Sequence, residues 1–171
     1  MKNLVAAFIA IIILTSCQEQ QKIGFIDNGK VINDYQEKID VEEKYKLKDE
    51  VFKKKTDSIG KAFQLEAQAF QLKAAKMSQK KQQEEYQALG QKQQLLQQQI
   101  QFEQQQIQQQ FQTEIDSVIA KVKTFVKGYG KSNGYSYILG SNEAGSVMYG
   151  EEQSDLSKTI IEALNVEYSK E

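Results

Sequence analysis

Apolar and small side chains recur every three, four or seven positions through the middle of the chain, between about residues 36 and 127. This spacing keeps them on one face of an α-helix, and a stripe this narrow is typical of a seam between two helices. The pattern therefore predicts two long helices. The first stripe comprises Val41, Tyr45, Phe52, Thr56, Ile59, Phe63, Ala67, Phe70, Ala74 and Met77, and the second Tyr86, Leu89, Leu96, Ile100, Ile107, Phe111, Val118, Val122 and Phe125.

A break between the two stripes is predicted near Met77 and Ser78. A single helix over residues 36–127 would be roughly 135 Å long, and serine is a residue type that caps the first turn of a helix. The returning helix is predicted to end near Lys127, because the glycine-rich segment KGYGKSNG follows. We therefore expect an antiparallel coiled-coil hairpin about 60–75 Å long.

A glutamine-rich tract, QKQQLLQQQIQFEQQQIQQQFQ, occupies residues 91–112 of the second stripe. Its composition alone is typical of low-complexity segments. However, Leu96, Ile100, Ile107 and Phe111 stay in helical step within it, which a disordered tract would have no reason to do. Since glutamine is a good helix former, the tract is predicted to form most of the returning helix.

Short β-type segments lie on both sides of the helical region. Residues 22–27 (KIGFID) alternate as in a half-buried strand, residues 135–141 (YSYILGS) are rich in aromatic and β-branched side chains, and residues 146–150 (SVMYG) are predicted to complete a hairpin. An amphipathic helix follows. Strands from both ends must meet in one sheet, so a small α+β body, residues 17–35 and 128–171, is interrupted by the arm. The core of this body is small, so we expect the protein to need oligomerisation for stability.

The N-terminus predicts export. Lys2 precedes an apolar run over residues 4–14, which is too short to span a bilayer, since that takes ~20 residues. A basic start, a short apolar run and small residues are typical of a secretion signal. The segment LTSC resembles a lipobox, so we expect a signal peptide at residues 1–16 and a lipid on Cys17; cleavage without a lipid is the alternative. Residue 18 is glutamine rather than the aspartate that retains many lipoproteins at the inner membrane, so anchoring in the outer membrane is favoured.

The composition argues against catalysis. The chain has no histidine, so the usual general base and the commonest metal ligand are missing, and lipidation of Cys17 would remove the only thiol. Adjacent acidic residues point apart on a helix, none has calcium-loop spacing, and the C-terminal glycines lack phosphate-loop spacing. We therefore predict no catalytic, cofactor or metal site and expect a protein that is not an enzyme. Because it is exported and has no arginine, no nucleic-acid partner is expected either.

The chain resembles the Skp/OmpH family of periplasmic chaperones over nearly all of the region after residue 17. The segments KIGFIDNGKVINDY (residues 22–35) and YSYILGSNEAGSVMYGEEQSDLSKTIIEALN (residues 135–165) carry the specific part of the resemblance. The Lys/Gln-rich hairpin is more generic. The resemblance implies a Skp-like homotrimer, in which strands of three subunits form a central β-barrel and three helical arms enclose a cavity.

The resemblance also implies a function: holding unfolded outer-membrane and other envelope proteins in the periplasm, without ATP or a cofactor. Two features depart from the family pattern. The chain is nearly neutral, with 22 basic and 23 acidic residues, where well-known members are strongly basic, and it carries a predicted lipid anchor where they are soluble. Only residues 41–81, with eleven lysines against six acidic residues, keep the basic character.

Four large apolar residues fall outside the predicted seam. Each lies one or two positions from a seam residue, roughly 100–200° round the helix, on surface that monomeric proteins usually keep polar. We expect them to line the client-facing side of the arms; scattered exposed apolar residues are the alternative. They are Leu65, Leu72, Leu95 and Phe102.

A second hypothesis comes from a different functional class. A lipid-anchored coiled-coil protein could serve as a structural spacer or scaffold of the cell envelope. It would have a fixed partner and no affinity for unfolded chains. Replacement of the four apolar residues by glutamine discriminates between the two, because only a chaperone would lose binding.

Overall fold

The computed structural model describes residues 21–170, so the predicted signal peptide and Cys17 lie outside the described residues. A small α+β body is interrupted by one long helical hairpin, as the sequence predicts. In chain order the elements are β1 (Ile23–Asp27), α1 (Asn28–Asn33), α2 (Gln36–Ala74), α3 (Gln79–Ser132), β2 (Tyr137–Ser141), a 3₁₀ turn (Glu152–Ser154) and α4 (Ser157–Tyr168).

The sheet joins the two ends of the chain. β1 and β2 pair in parallel, with Ile23 opposite Tyr137 and Asp27 opposite Ser141. Parallel strands cannot be joined by a tight turn, and here the whole hairpin of α2 and α3 forms the crossover connection. The prediction that strands from both ends meet in one sheet is therefore confirmed.

The predicted third strand at residues 146–150 is wrong. Among the described residues the sheet has two strands only. Residues 146–148 form bends and residues 149–150 are irregular, with Met148 89% exposed. Gly145 reverses the chain in the left-handed region, at φ 82°. An isolated segment gains little from an extended conformation unless a neighbour satisfies its backbone groups. Within one chain, no such neighbour is in place for this segment.

The core of the body is small and lies where the arm enters it. Side chains from β1, α1, α3 and α4 pack together, and residues of α3 are therefore both the root of the arm and part of the core. The buried cluster comprises Ile26, Val31, Tyr35, Val118, Val122, Leu156, Ile160 and Leu164. Ser157, also buried, accepts a hydrogen bond from the backbone N–H of Asp27 at 2.8 Å and so ties α4 to the end of β1.

The tip of the arm lies where the sequence predicts it. α2 ends at Ala74, and Ser78 is the N-cap of α3, with its hydroxyl accepting from the backbone N–H of Lys81. The side-chain amide of Gln82 donates to the carbonyl oxygens of Ala74, at 2.5 Å, and Met77, at 3.4 Å. The Ala74 carbonyl also accepts from the backbone N–H of Met77 at 3.0 Å, and the Gln82 bonds join the first turn of α3 to the end of α2 and the turn that follows it.

The returning helix is longer than predicted. α3 continues through the glycine-rich segment to Ser132, whereas the sequence places a loop after Lys127. Tertiary packing explains the difference, because Gly130 is buried and a Cβ there would lie 3.3 Å from the Ile138 side chain. The glycine lets β2 approach the helix closely, and this contact outweighs the ~1 kcal/mol that glycine costs in a helix.

The predicted seam is present along almost the whole arm. From Phe52 to Met77, each predicted position is half-buried. Tyr86 is the exception, at 72% exposed. Gln82, four residues earlier, is half-buried in its place and makes the tip hydrogen bonds. The seam prediction is therefore wrong at Tyr86, and Gln82 fills the seam position near the tip.

Candidate functional site

One side of the arm carries a row of polar pairs between the two helices. Ion pairs join Glu37 to Lys121, Lys44 to Glu114, and Lys55 to Glu103 at 2.6–2.7 Å, and a fourth joins Glu66 to Lys92. Lys48 donates to the side chain of Gln110 at 3.2 Å. Each step along α2 is matched by an equal step back along α3, so the register is constant from the base of the arm towards its tip. We call this row the charged rail.

The rail and the seam share a repeat of eleven residues. Lys44, Lys55 and Glu66 of α2 are eleven positions apart, as are their partners on α3. In the seam, the same interval separates Leu89, Ile100, Phe111 and Val122. Eleven residues make about three turns at 3.67 residues per turn, which favours a shallow right-handed winding rather than the left-handed supercoil of heptads. Successive eleven-residue segments of the arm therefore place their seam and rail residues at equivalent positions.

A buried tyrosine joins the two helices near the base of the arm. Tyr45 is 5% exposed, and its hydroxyl donates to Glu114 at 2.8 Å while its ring packs on that of Phe111 at 5.2 Å. Lys44 donates to both oxygens of the same carboxylate at 2.7 Å, and the Nζ of Lys48 lies 4.4 Å from the centre of the Tyr45 ring. The cluster combines apolar packing with a charge-assisted network.

The contacts of this cluster shift the pKa of both acidic members. Burial, the hydrogen bond to Glu114 and that carboxylate's negative charge raise the pKa of Tyr45 to about 12. Hydrogen bonds from Lys44 and Tyr45 lower the pKa of Glu114, against the opposing effect of its partial burial. The folded arm therefore favours protonated Tyr45 and ionised Glu114, which is the state that the network needs.

Replacing Tyr45 with phenylalanine should lower the free energy of unfolding at neutral pH by about 1–3 kcal/mol, because a buried hydrogen bond to a charged group is lost. The folded pKa of Tyr45 lies above its ordinary value of 10.0, so its contribution is present below pH 10 and lost between 10 and 12. The lowered pKa of Glu114 makes its contribution disappear as the solution is acidified below its ordinary value of 4.5.

Thermal melts of the wild type and Tyr45→Phe from pH 3.5 to 11.5 check this prediction. The gap between the two proteins should be widest from pH 5 to 9 and should shrink above pH 10. A gap that does not change with pH would contradict it.

A second cluster fixes the root of the arm to α4. The Tyr168 hydroxyl donates to Asp40 at 2.9 Å, and this bond, with burial and the charge of that carboxylate, raises the pKa of Tyr168. The rings of Tyr35 and Tyr168 meet edge to face with centroids 6.0 Å apart. Asn165 accepts from the backbone N–H of Gln36 at 2.8 Å. The first turn of α2 is therefore held by the last helix of the chain.

The four predicted client-contact residues all lie outside the seam. Leu65 and Leu95 are each 65% exposed, Leu72 is 81% and Phe102 is 63%. By helical geometry they lie roughly 135–180° from the seam, so Leu65 and Leu72 project from the outer side of α2, and Leu95 and Phe102 from the outer side of α3. The structure therefore places them on two separate outer ridges and does not bring all four together in one patch.

Two further residues of the α2 ridge were missed in the sequence. Leu47 and Val51 are 56% and 66% exposed and share the outer face of α2 with Leu65 and Leu72, because these positions repeat at nearly whole turns. The sequence does indicate that Leu47 lies outside the seam, because Leu47 follows the seam residue Tyr45 by two positions, just as Leu65 follows Phe63.

The described residues contain neither a group of side chains suited to bind a metal ion nor a helix suited to span a membrane. Within residues 21–170, no three His, Cys, Asp or Glu side chains are grouped as a metal ion would require. None of the helices in that range is both long and apolar enough to cross a bilayer.

Comparison with known proteins places the chain in a family. A sequence model of the OmpH-like outer membrane proteins matches residues 22–164, which include both strands, the whole arm and most of α4. The chain belongs to the OmpH-like family. The resemblance seen in the sequence is therefore confirmed, and membership favours a chaperone-type binding protein over an enzyme.

A solved structure shows the same fold. The crystal structure of a candidate outer membrane chaperone (OmpH-like) from Caulobacter crescentus CB15 aligns with a TM-score of 0.76, over 86% of this chain and 85% of that one. The two sequences are 16% identical, so the arrangement of body and arm is kept while most side chains differ. No curated protein matches the sequence.

Proposed function

We propose that this OmpH-like protein is an ATP-independent holdase for unfolded outer-membrane and other envelope proteins. The observation that carries the proposal is the row of large apolar side chains on the outer ridges of the arm, including Leu65, Leu72, Leu95 and Phe102. Single exposed apolar residues are common, but here they recur at whole-turn intervals along helices of an OmpH-like fold. Many weak contacts on one arm hold a client by multivalency and still let it leave.

The proposal includes a homotrimer, and the body supplies three features that support association of copies. β2 has no strand on its outer edge among the described residues, and such an edge is a template for pairing with another chain. Beside it, a cavity of 580 Å³ is lined by apolar side chains such as Ile138 and Val126. Met148 and Tyr149, 89% and 85% exposed, are suited to reach a second copy of this sheet.

We further propose that the protein acts in the periplasm, anchored by a lipid on Cys17 to the outer membrane. The support is the basic, apolar and small-residue pattern that ends at Cys17, together with the family of the chain. Incorporation of a fatty-acid analogue by the expressed protein, and its loss in Cys17→Ser, is the expected result. Labelling that persists in the variant would contradict the lipid anchor.

A dilution experiment tests the holdase proposal. A urea-unfolded outer-membrane barrel is diluted into buffer with increasing amounts of the purified protein, and aggregation is followed by light scattering. We expect suppression that is complete near three chains per client and unaffected by ATP, and a solution mass three times that of one chain. Unchanged aggregation at this ratio would overturn the proposal and favour the scaffold hypothesis, whereas full activity of a monomer would overturn the trimer alone.

A further inference from the structure

In the middle of the returning helix, the charged side chains lie on one side of the arm. Between residues 86 and 113, the only charged residues of α3 are Lys92 and Glu103. Both belong to the charged rail, where Lys92 pairs with Glu66 and Glu103 pairs with Lys55. The rest of the surface of this long segment is therefore uncharged.

In the half of the arm nearest the tip, the side opposite the rail is formed by amide side chains. Its positions lie roughly 60–125° from the seam, turned away from the ion pairs, and all are exposed. We call this surface the glutamine flank; it comprises Gln64 and Gln71 of α2 and Gln94, Gln97 and Gln101 of α3.

Both glycines of the arm lie on the same flank. Gly60 and Gly90 have no atom within 4 Å of the place where a Cβ would be, so neither is required by packing between the helices. Each lowers the stability of its helix by ~1 kcal/mol relative to alanine. Their effect on the surface is to leave the backbone open to close approach by another chain.

The chemistry of the flank limits what it can bind well. Apart from Tyr86 at the tip end, it carries no large apolar side chain, because the exposed leucines and Phe102 project from the outer ridges. Over this tip-ward half the flank carries no charged side chain and so neither attracts nor repels acidic or basic partners, whereas nearer the base the same side of the arm carries Glu42, Lys46 and Asp49. Each glutamine offers two donors and an acceptor, which match the N–H and C=O that every residue of an extended main chain presents.

We propose that the main chain of an unfolded polypeptide lies along the glutamine flank, while the outer ridges take its apolar side chains. The inference rests on the proposed holdase function and names the surface and the part of the client that it binds. Amide-to-backbone contacts are independent of client sequence, so this surface suits clients of any net charge. It also gives the glutamine-rich tract a role that its composition alone would not indicate.

The tract provides matched variants for a test. Gln94 and Gln101 lie on the flank seven residues apart, and Gln99 and Gln106 lie equally far from the seam on the rail side, also seven residues apart. The test compares the flank pair changed to glutamate, the flank pair changed to lysine, and the rail-side pair changed to glutamate or lysine. Dissociation constants are measured with one acidic and one basic unfolded outer-membrane barrel held in dilute urea.

We expect both flank variants to bind both clients about tenfold more weakly than the wild type, through loss of neutral hydrogen bonds, and the rail-side variants to stay within about twofold. Equal effects of flank and rail-side variants would overturn the inference. So would glutamate and lysine acting in opposite directions on a given client, which would indicate attraction by net charge.

A change in solution mass confined to the flank variants would also overturn the inference, by assigning the flank to contacts between copies of this chain. Circular dichroism verifies that each variant is folded before binding is measured. If the wild type binds neither client, the proposed function itself fails, and this outcome is distinct from the others.

Discussion

Changing Leu65, Leu72, Leu95 and Phe102 together to glutamine should weaken binding of unfolded clients by two to three orders of magnitude. Each side chain is more than 60% exposed and can bury its apolar surface only against a partner. A contribution of roughly 1 kcal/mol from each partly buried side chain gives about 4 kcal/mol for the four. The fold should be unaffected, since surface substitutions of this kind usually change stability by less than ~0.5 kcal/mol each.

A conservative variant separates apolar contact from other effects. Changing the three leucines to methionine and Phe102 to leucine keeps the ridges apolar, and we expect it to bind within about threefold of the wild type. Dissociation constants from fluorescence anisotropy of a labelled barrel, with melting curves of all three proteins, provide the measurement. Full client affinity in the glutamine variant, with an unchanged melting temperature, would contradict the role of the ridges.

Removing residues 55–65 and 93–103 together should leave a folded protein whose arm is shorter by about 16 Å. The two segments face each other in the register of the charged rail, with Lys55 paired to Glu103 at one boundary. Eleven residues make almost a whole number of turns, so the seam on either side of the junction stays in line. After the deletion, the pair of Glu66 and Lys92 takes the place of the lost one.

A deletion of nine residues from each helix, 55–63 and 95–103, is the matched control. Nine residues correspond to a half-integral number of turns, so the seam beyond the junction would face outwards. We expect the distal arm of this control to unfold, with loss of helical signal in circular dichroism, whereas the longer deletion keeps cooperative melting and gives a shorter maximum dimension in small-angle scattering. Similar behaviour of the two deletions would contradict the eleven-residue architecture.

The arm could be predicted from the sequence because its order is local. Side chains three, four and seven positions apart meet on one helix whatever the rest of the chain does, so the seam from Phe52 to Met77 was visible as a spacing. Ser78 begins the returning helix, because its hydroxyl accepts a hydrogen bond from the backbone N–H of Lys81 in the first turn of α3. The exposure of Leu65, Leu72, Leu95 and Phe102 followed from the same periodicity, because a residue out of step with the seam must face solvent.

What the sequence could not settle depends on contacts between residues distant along the chain. Gly130 remains helical because Ile138 packs against it, and a local pattern reads the same glycines as a loop. Residues 146–150 have the composition of a strand, yet a strand needs a neighbour, and none is in place within one chain. The register that joins Tyr45 to Glu114, 69 residues apart, follows from the position of the tip and from packing across the seam.

By itself, then, the sequence determined the helices, their seam, the tip of the arm and the residues left outside the seam, since all of these follow from the geometry of a single helix. The tertiary structure decided the parallel pairing of the strands, the length of α3, the charged rail and the separation of the outer ridges from the glutamine flank. These features depend on contacts between elements that are distant along the chain. The two sides of the arm, for example, are defined only when α2 and α3 pack against each other.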